Sequence, residues 1–113
     1  MTVYGIKNCN SVRKALKFFK DNDIEFDFVD FKKEKVAKEK IEQWATKVPV
    51  DKLFNSRGAT YRALKLKELN LDEAGKIEWL AKENMLIKRP VIEYGEGEVM
   101  VAFNEEDYKE TFL

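Results

Sequence analysis

Between Thr2 and Phe31 the hydrophobic period of the chain changes twice. Thr2 to Ile6 forms a short run suited to a strand, and after Cys9 the residues Val12, Ala15, Leu16 and Phe19 fall at i, i+3, i+4 and i+7, one apolar face of a helix. Asp21-Asn22-Asp23 interrupts that helix, and Ile24 to Phe31 alternates apolar with acidic side chains, the period of a second strand. Strand, helix and strand in so short a span make a βαβ unit, whose crossover is normally right-handed and whose two strands lie parallel. The chain is thereby restricted to an α/β sheet with at least one parallel pair and a helix packed on it.

Cys9 is the single cysteine and stands in Gly5-Ile6-Lys7-Asn8-Cys9-Asn10-Ser11-Val12-Arg13, at the change from strand to helix. Free backbone N–H groups and the positive end of the helix dipole favour an anionic side chain at such a place. A lone cysteine is often a small buried apolar residue, but Lys7, Asn8, Asn10, Ser11 and Arg13 are better company for an anion than for a core position. With one sulfur per chain no internal disulfide can form. A redox cycle therefore needs an outside thiol such as glutathione, a glutaredoxin or a second protein chain.

The middle of the chain has helical patterning. Lys38 to Lys47 places Ile41, Trp44, Ala45 and Val48 on one face; Thr60 is positioned to cap a helix over Tyr61 to Leu69; Asp72 is positioned to start one through Ile77, Trp79 and Leu80. Gly75 inside that last segment costs about 1 kcal/mol relative to alanine. The run Phe31-Lys32-Lys33-Glu34-Lys35 suits a solvated linker. After Lys88-Arg89-Pro90 the strand pattern returns as Val91 to Tyr94 and Glu98 to Phe103 around Gly95-Glu96-Gly97, a hairpin. Asn104 with Glu105, Glu106 and Asp107 supplies a cap and an acidic first turn for a final helix through Tyr108 and Phe112. The order βαβ, helices, ββα predicts a mixed four-stranded sheet with helices packed on it.

At 113 residues, 44% of them hydrophobic, the chain has apolar material for the core of one domain and no compositional sign of disorder. Lysine plus arginine and aspartate plus glutamate number 21 each, so no global field draws it to nucleic acid or to an anionic membrane. The absence of histidine removes the commonest general base and metal ligand, and with them Cys–His hydrolase chemistry and an ordinary zinc site. No run of residues is long enough to span a membrane, and Met1 to Gly5 lacks the character of a signal peptide. A cytoplasmic location and a monomer are the expectations.

Three separated motifs, Gly5-Ile6-Lys7-Asn8-Cys9-Asn10, Asn55-Ser56-Arg57-Gly58-Ala59-Thr60-Tyr61-Arg62 and Ile87-Lys88-Arg89-Pro90, resemble the arsenate reductase-like (ArsC/Spx/YffB-like) family of the thioredoxin superfamily, over essentially the full chain. The resemblance implies a thioredoxin-like fold in one domain, with a core of about residues 1–31 and 88–113 and a helical insertion of about 32–87 between the second and third strands. It also implies that Cys9 is the nucleophile and that Arg57 and Arg89 hold an oxyanion. Pro90 matches the superfamily's cis proline, and Arg13 matches a family arginine four residues beyond the cysteine. Asn8, Asn10 and Ser11 complete the expected anion site.

Two departures bear on activity. No arginine follows Arg89, so the third arginine of well-studied arsenate reductases has no counterpart near Ala102; and Val12 stands where Spx regulators carry a second cysteine. The expectation is a thiol-dependent reductase with no bound cofactor, acting on an oxidised thiol adduct or small oxyanion and coupled to glutathione or glutaredoxin. The alternatives are a binding module for the RNA polymerase alpha subunit, as in the Spx branch, an arsenate reductase, and an anion carrier or sensor without turnover.

Overall fold

The computed structural model describes residues 1–113. The elements are β1 (Thr2–Gly5), α1 (Asn10–Asp21), β2 (Asp27–Asp30), α2 (Lys38–Ala45), α3 (Val50–Leu53), α4 (Ala59–Ala63), a 3-10 turn (Leu66–Leu69), α5 (Glu73–Lys82), a second 3-10 turn (Asn84–Leu86), β3 (Val91–Tyr94), β4 (Glu98–Val101) and α6 (Glu105–Phe112). They pack as two compact units, Met1–Asp30 with Arg89–Leu113, and Phe31–Lys88.

The first unit holds the sheet, in the order β2-β1-β3-β4. β1 runs parallel to β2 and antiparallel to β3, and β3 is antiparallel to β4, the mixed four-stranded arrangement expected for a thioredoxin-like fold. β2 is shorter than the alternating run from Ile24 suggested. After α1 the chain reverses through Asp23, whose φ is +55°, and the Ile24 N–H donates to Phe19 O at 2.8 Å. Pairing then begins only where β1 offers partners, Thr2 opposite Asp27. The β3–β4 hairpin turns through Gly95 and Gly97 at φ +54° and +77°, a region that residues with a Cβ largely avoid.

One face of this sheet is covered by α1 and α6. Val3 and Ile92 from the strands meet Ala15, Phe18 and Phe19 from α1 and Tyr108 from α6 in a single apolar cluster. Phe19, fully buried, has the rings of Tyr108, Phe112 and Phe26 at 5.6, 5.1 and 5.8 Å. α6 starts as its sequence indicated, with the Asp107 N–H donating to Asn104 Oδ1 at 3.1 Å.

The second unit is helical and has its own core, including Ile41, Trp44, Leu53, Leu66, Leu80 and Leu86. Asp72 caps α5, accepting from the Gly75 N–H at 2.7 Å. Trp79 is only half-buried, and Lys82 Nζ lies 4.7 Å from its ring centroid. Phe31, expected in a solvated linker, is buried, while Lys32 to Lys35 are exposed. The helix expected over Tyr61 to Leu69 is broken. Gly58, not Thr60, takes the cap position of α4; Lys65 at φ +54° then ends the helical run, and the 3-10 turn buries Leu66 while Leu64 and Leu69 stay exposed. A continuous helix would hold these three leucines in fixed rotation, so the kink at Lys65 selects which of them is buried. The buried Asn84 ties the unit together: its Oδ1 accepts from the Val36 N–H at 2.7 Å, and its Nδ2 donates to Leu80 O at 2.9 Å and Val36 O at 3.3 Å.

Two substitutions test these packing arguments. A Cβ on Gly5 would lie 2.7 Å from Cγ2 of the fully buried Val12, so Gly5→Ala should cost about 1–3 kcal/mol by overpacking, read as a lower urea midpoint. Asn84→Ala strands the Val36 N–H and should cost about 1–3 kcal/mol; an unchanged midpoint would refute the bracing role.

Candidate functional site

The carboxyl end of β1 and the start of α1 are joined by Ile6 to Cys9. Cys9 is the N-cap residue of α1, with extended backbone at φ −140° and ψ 125°. Its carbonyl accepts the Arg13 N–H at 2.9 Å, while its side chain makes no capping hydrogen bond. The first turn of α1 carries no acidic side chain, so nothing offsets the partial positive charge that orphan N–H groups create there. α6 differs, since its first turn holds Glu105, Glu106 and Asp107. The half-buried Cys9 therefore sits at the one of these two helix starts whose field is left for something other than the helix's own carboxylates.

The flanking polar residues form a bracket around Cys9. Arg13 Nη2 donates to Asn8 Oδ1 at 2.8 Å, and Arg13 Nη1 donates to Asn10 Oδ1 at 3.3 Å. One guanidinium thus spans the residues on either side of the cysteine, with Asn10 at the i, i−3 position on the same helix face. Arg13 brings a fixed positive charge, and Asn8 and Asn10 spend their side-chain oxygens on it, which leaves their amide groups as donors. Ser11 follows in the first turn and is half-buried.

Arg89 and Pro90 enter from the other side of β1. Tyr4 of β1 pairs with Val91 of β3, and the antiparallel register carried one residue further sets Pro90 opposite Gly5. The Arg89–Pro90 turn therefore adjoins the end of β1 that leads to Cys9. The Arg89–Pro90 bond is cis, the isomer that the resemblance implies. Arg89 is half-buried, and Pro90 is buried with its carbonyl accepting the Ala102 N–H at 2.8 Å. Arg57 belongs to the second unit, exposed on a tight turn in which the Gly58 N–H donates to Asn55 O at 3.3 Å. A Cβ on Gly58 would meet Asn55 Nδ2 at 2.7 Å, so a larger residue in the turn that displays Arg57 would displace the Asn55 side chain.

A model of the ArsC family matches residues 4–111. The chain belongs to that family. An uncharacterized protein of Haemophilus influenzae is 38% identical over 113 residues, covering 99% of this chain and 98% of its own length. The solved structure of a YFFB protein matches with a TM-score of 0.92 and 30% identity, covering 99% of this chain and 98% of that one. An arsenate reductase related protein from Brucella melitensis matches at 35% identity and a TM-score of 0.76, over 98% of this chain and 92% of its own.

Two parts of this region carried no signal in the sequence. Ala102, at the end of β4, has φ +71°, and nothing about an alanine announces a left-handed backbone. The hydroxyl of Tyr108, whose spacing marks it only as a core residue of α6, donates to Ala102 O at 2.8 Å. No group of three or more histidine, cysteine, aspartate or glutamate side chains is placed to hold a metal ion, and no helix is long and apolar enough to cross a membrane.

The bracket has a measurable consequence. The ratio of Cys9 alkylation rates with iodoacetate and iodoacetamide reports positive charge near the sulfur. Arg13→Gln should lower that ratio about threefold at low salt, the scale of an exposed charge interaction. The difference should fade near 1 M salt, where the screening length is about 3 Å. An unchanged ratio at low salt would show that Arg13 does not act on the thiol.

Proposed function

We propose that this protein is a single-cysteine thiol reductase coupled to glutathione or a glutaredoxin, with an oxidised thiol adduct as its substrate. The Cys9 thiolate attacks one sulfur of a disulfide. A Cys9–S bond forms, the substrate S–S bond breaks, and the second sulfur leaves as a thiolate that takes up a proton. An external thiol then attacks the mixed disulfide, frees Cys9 and leaves as part of a new disulfide. Each turnover frees one thiol from the substrate disulfide, consumes one external thiol and ends with a new disulfide that joins this thiol to the group Cys9 had carried, and no second cysteine in the chain is required.

The observation that carries this reading is the position of Cys9 as an N-cap without a capping hydrogen bond, bracketed by Asn8, Asn10 and Arg13. Arg89 is assigned to hold a carboxylate of the substrate, because the β1–β3 register sets its turn beside the end of β1. Arg57 is assigned as a second anion-binding group on the resemblance of its motif. A glutathione adduct suits such a site, since its carboxylates match guanidinium forks. Arsenate is the less favoured substrate, because neither β4 nor the Ala102 that follows it supplies a third arginine.

The test is mass spectrometry after incubation with oxidised glutathione. A one-to-one mixed disulfide on Cys9 is expected, absent in Cys9→Ser and released by reduced glutathione or glutaredoxin. Arg89→Ala and Arg57→Ala should each slow its formation about tenfold, near the value of one charge-assisted hydrogen bond. Absence of the adduct, or formation at the rate of an unstructured thiol, would refute the reductase reading. Binding of polymerase alpha subunit retained by Cys9→Ser would then favour a binding module.

A further inference from the structure

We propose that Tyr108 is a positioning residue for the Arg89–Pro90 turn, acting through the left-handed backbone of Ala102. Its functional half rests on the role just given to Arg89. Ala102 stands at φ +71°, where an L-residue with a Cβ is disfavoured and persists only when its surroundings fix it. Two hydrogen bonds do so: the Ala102 N–H donates to Pro90 O at 2.8 Å, and Ala102 O accepts from the Tyr108 hydroxyl at 2.8 Å. Ala102 thus couples the residue next to Arg89 to the interior.

Tyr108 is rigid enough to serve as the fixed end. It is fully buried, and its ring lies 4.8 Å from Phe103, 5.6 Å from Phe18 and 5.6 Å from Phe19. Burial pushes its phenol well above the ordinary value of 10.0, so the hydroxyl remains a donor wherever the protein would work. Without that donor, residue 102 gains by leaving the left-handed region. The N–H that meets Pro90 O would then turn away, and Arg89 would lose its fixed base.

Glycine separates this idea from a merely structural role for the tyrosine, since it occupies positive φ without a steric penalty. The full-length protein is compared with Tyr108→Phe, Ala102→Gly and the double variant. The first readout is amide exchange at residue 102 relative to the buried Ile92 of the same sheet, so that a general loss of stability cancels. Tyr108→Phe should raise that ratio about tenfold, the value of one net hydrogen bond at the upper end, and the double variant should return close to Ala102→Gly alone.

The second readout is the iodoacetate to iodoacetamide ratio at Cys9. It should fall several-fold in Tyr108→Phe, as in Arg89→Ala, and recover in the double variant. An exchange ratio unmoved by Tyr108→Phe, or an effect that glycine does not reverse, overturns the proposal; so does an alkylation ratio that Arg89→Ala lowers and Tyr108→Phe leaves intact. If Arg89→Ala itself leaves the alkylation ratio unchanged, the carboxylate-binding role proposed for Arg89 fails, while the exchange comparison still decides whether Tyr108 holds the turn.

Discussion

Strand β1 is hydrogen-bonded along both edges, parallel to β2 and antiparallel to β3, and the candidate chemistry hangs from its carboxyl end. A strand paired on both sides cannot slip by one residue without turning its side chains to the wrong face. Val3 would leave the cluster it shares with Ile92, Phe19 and Tyr108. The apolar cluster thereby fixes the register, and the register fixes where the Cys9 loop and the Arg89–Pro90 turn emerge. Gly5 adds the last restraint, admitting Val12 of α1 to a distance that no other residue type permits.

The polar groups near Cys9 are organised before any substrate arrives. Arg13 is held by two asparagine oxygens, so the entropy of ordering its long side chain is already lost in the folded protein. The start of α1 has neither a side-chain cap nor an acidic residue. Local stability is forgone in this way, and at the start of α6 the same chain supplies both features. The contrast between two helices of one small unit shows that the bare start of α1 is a local property of its sequence, beside the only cysteine.

The strand and helix order was legible because each element of the first unit has a strong period and clear punctuation. Val12 to Phe19 marks α1, Asn104 marks the start of α6, and Gly95 with Gly97 marks the hairpin. The bracket was half legible, since Asn10 and Arg13 have helical spacing but the reach of Arg13 back to Asn8 depends on loop geometry. The break at Lys65 was hidden, because a lysine carries no preference for positive φ, and tertiary burial of Leu66 overrode a passable helical pattern. Ala102 escaped for the same reason. A residue held in a disfavoured conformation by distant partners leaves no trace in its own neighbourhood of sequence.

Asn84 has an implication for how such a chain can vary. With one side chain it closes the helical unit on itself, joining Val36 near the entry to Leu80 near the exit. Part of the conformational cost of ordering a long excursion between β2 and β3 is therefore offset by bonds made inside the excursion. Exposed positions away from that amide, such as Lys32 to Lys35, can change side chain without touching this closure, whereas Leu66 beside the Lys65 kink is bound to stay apolar.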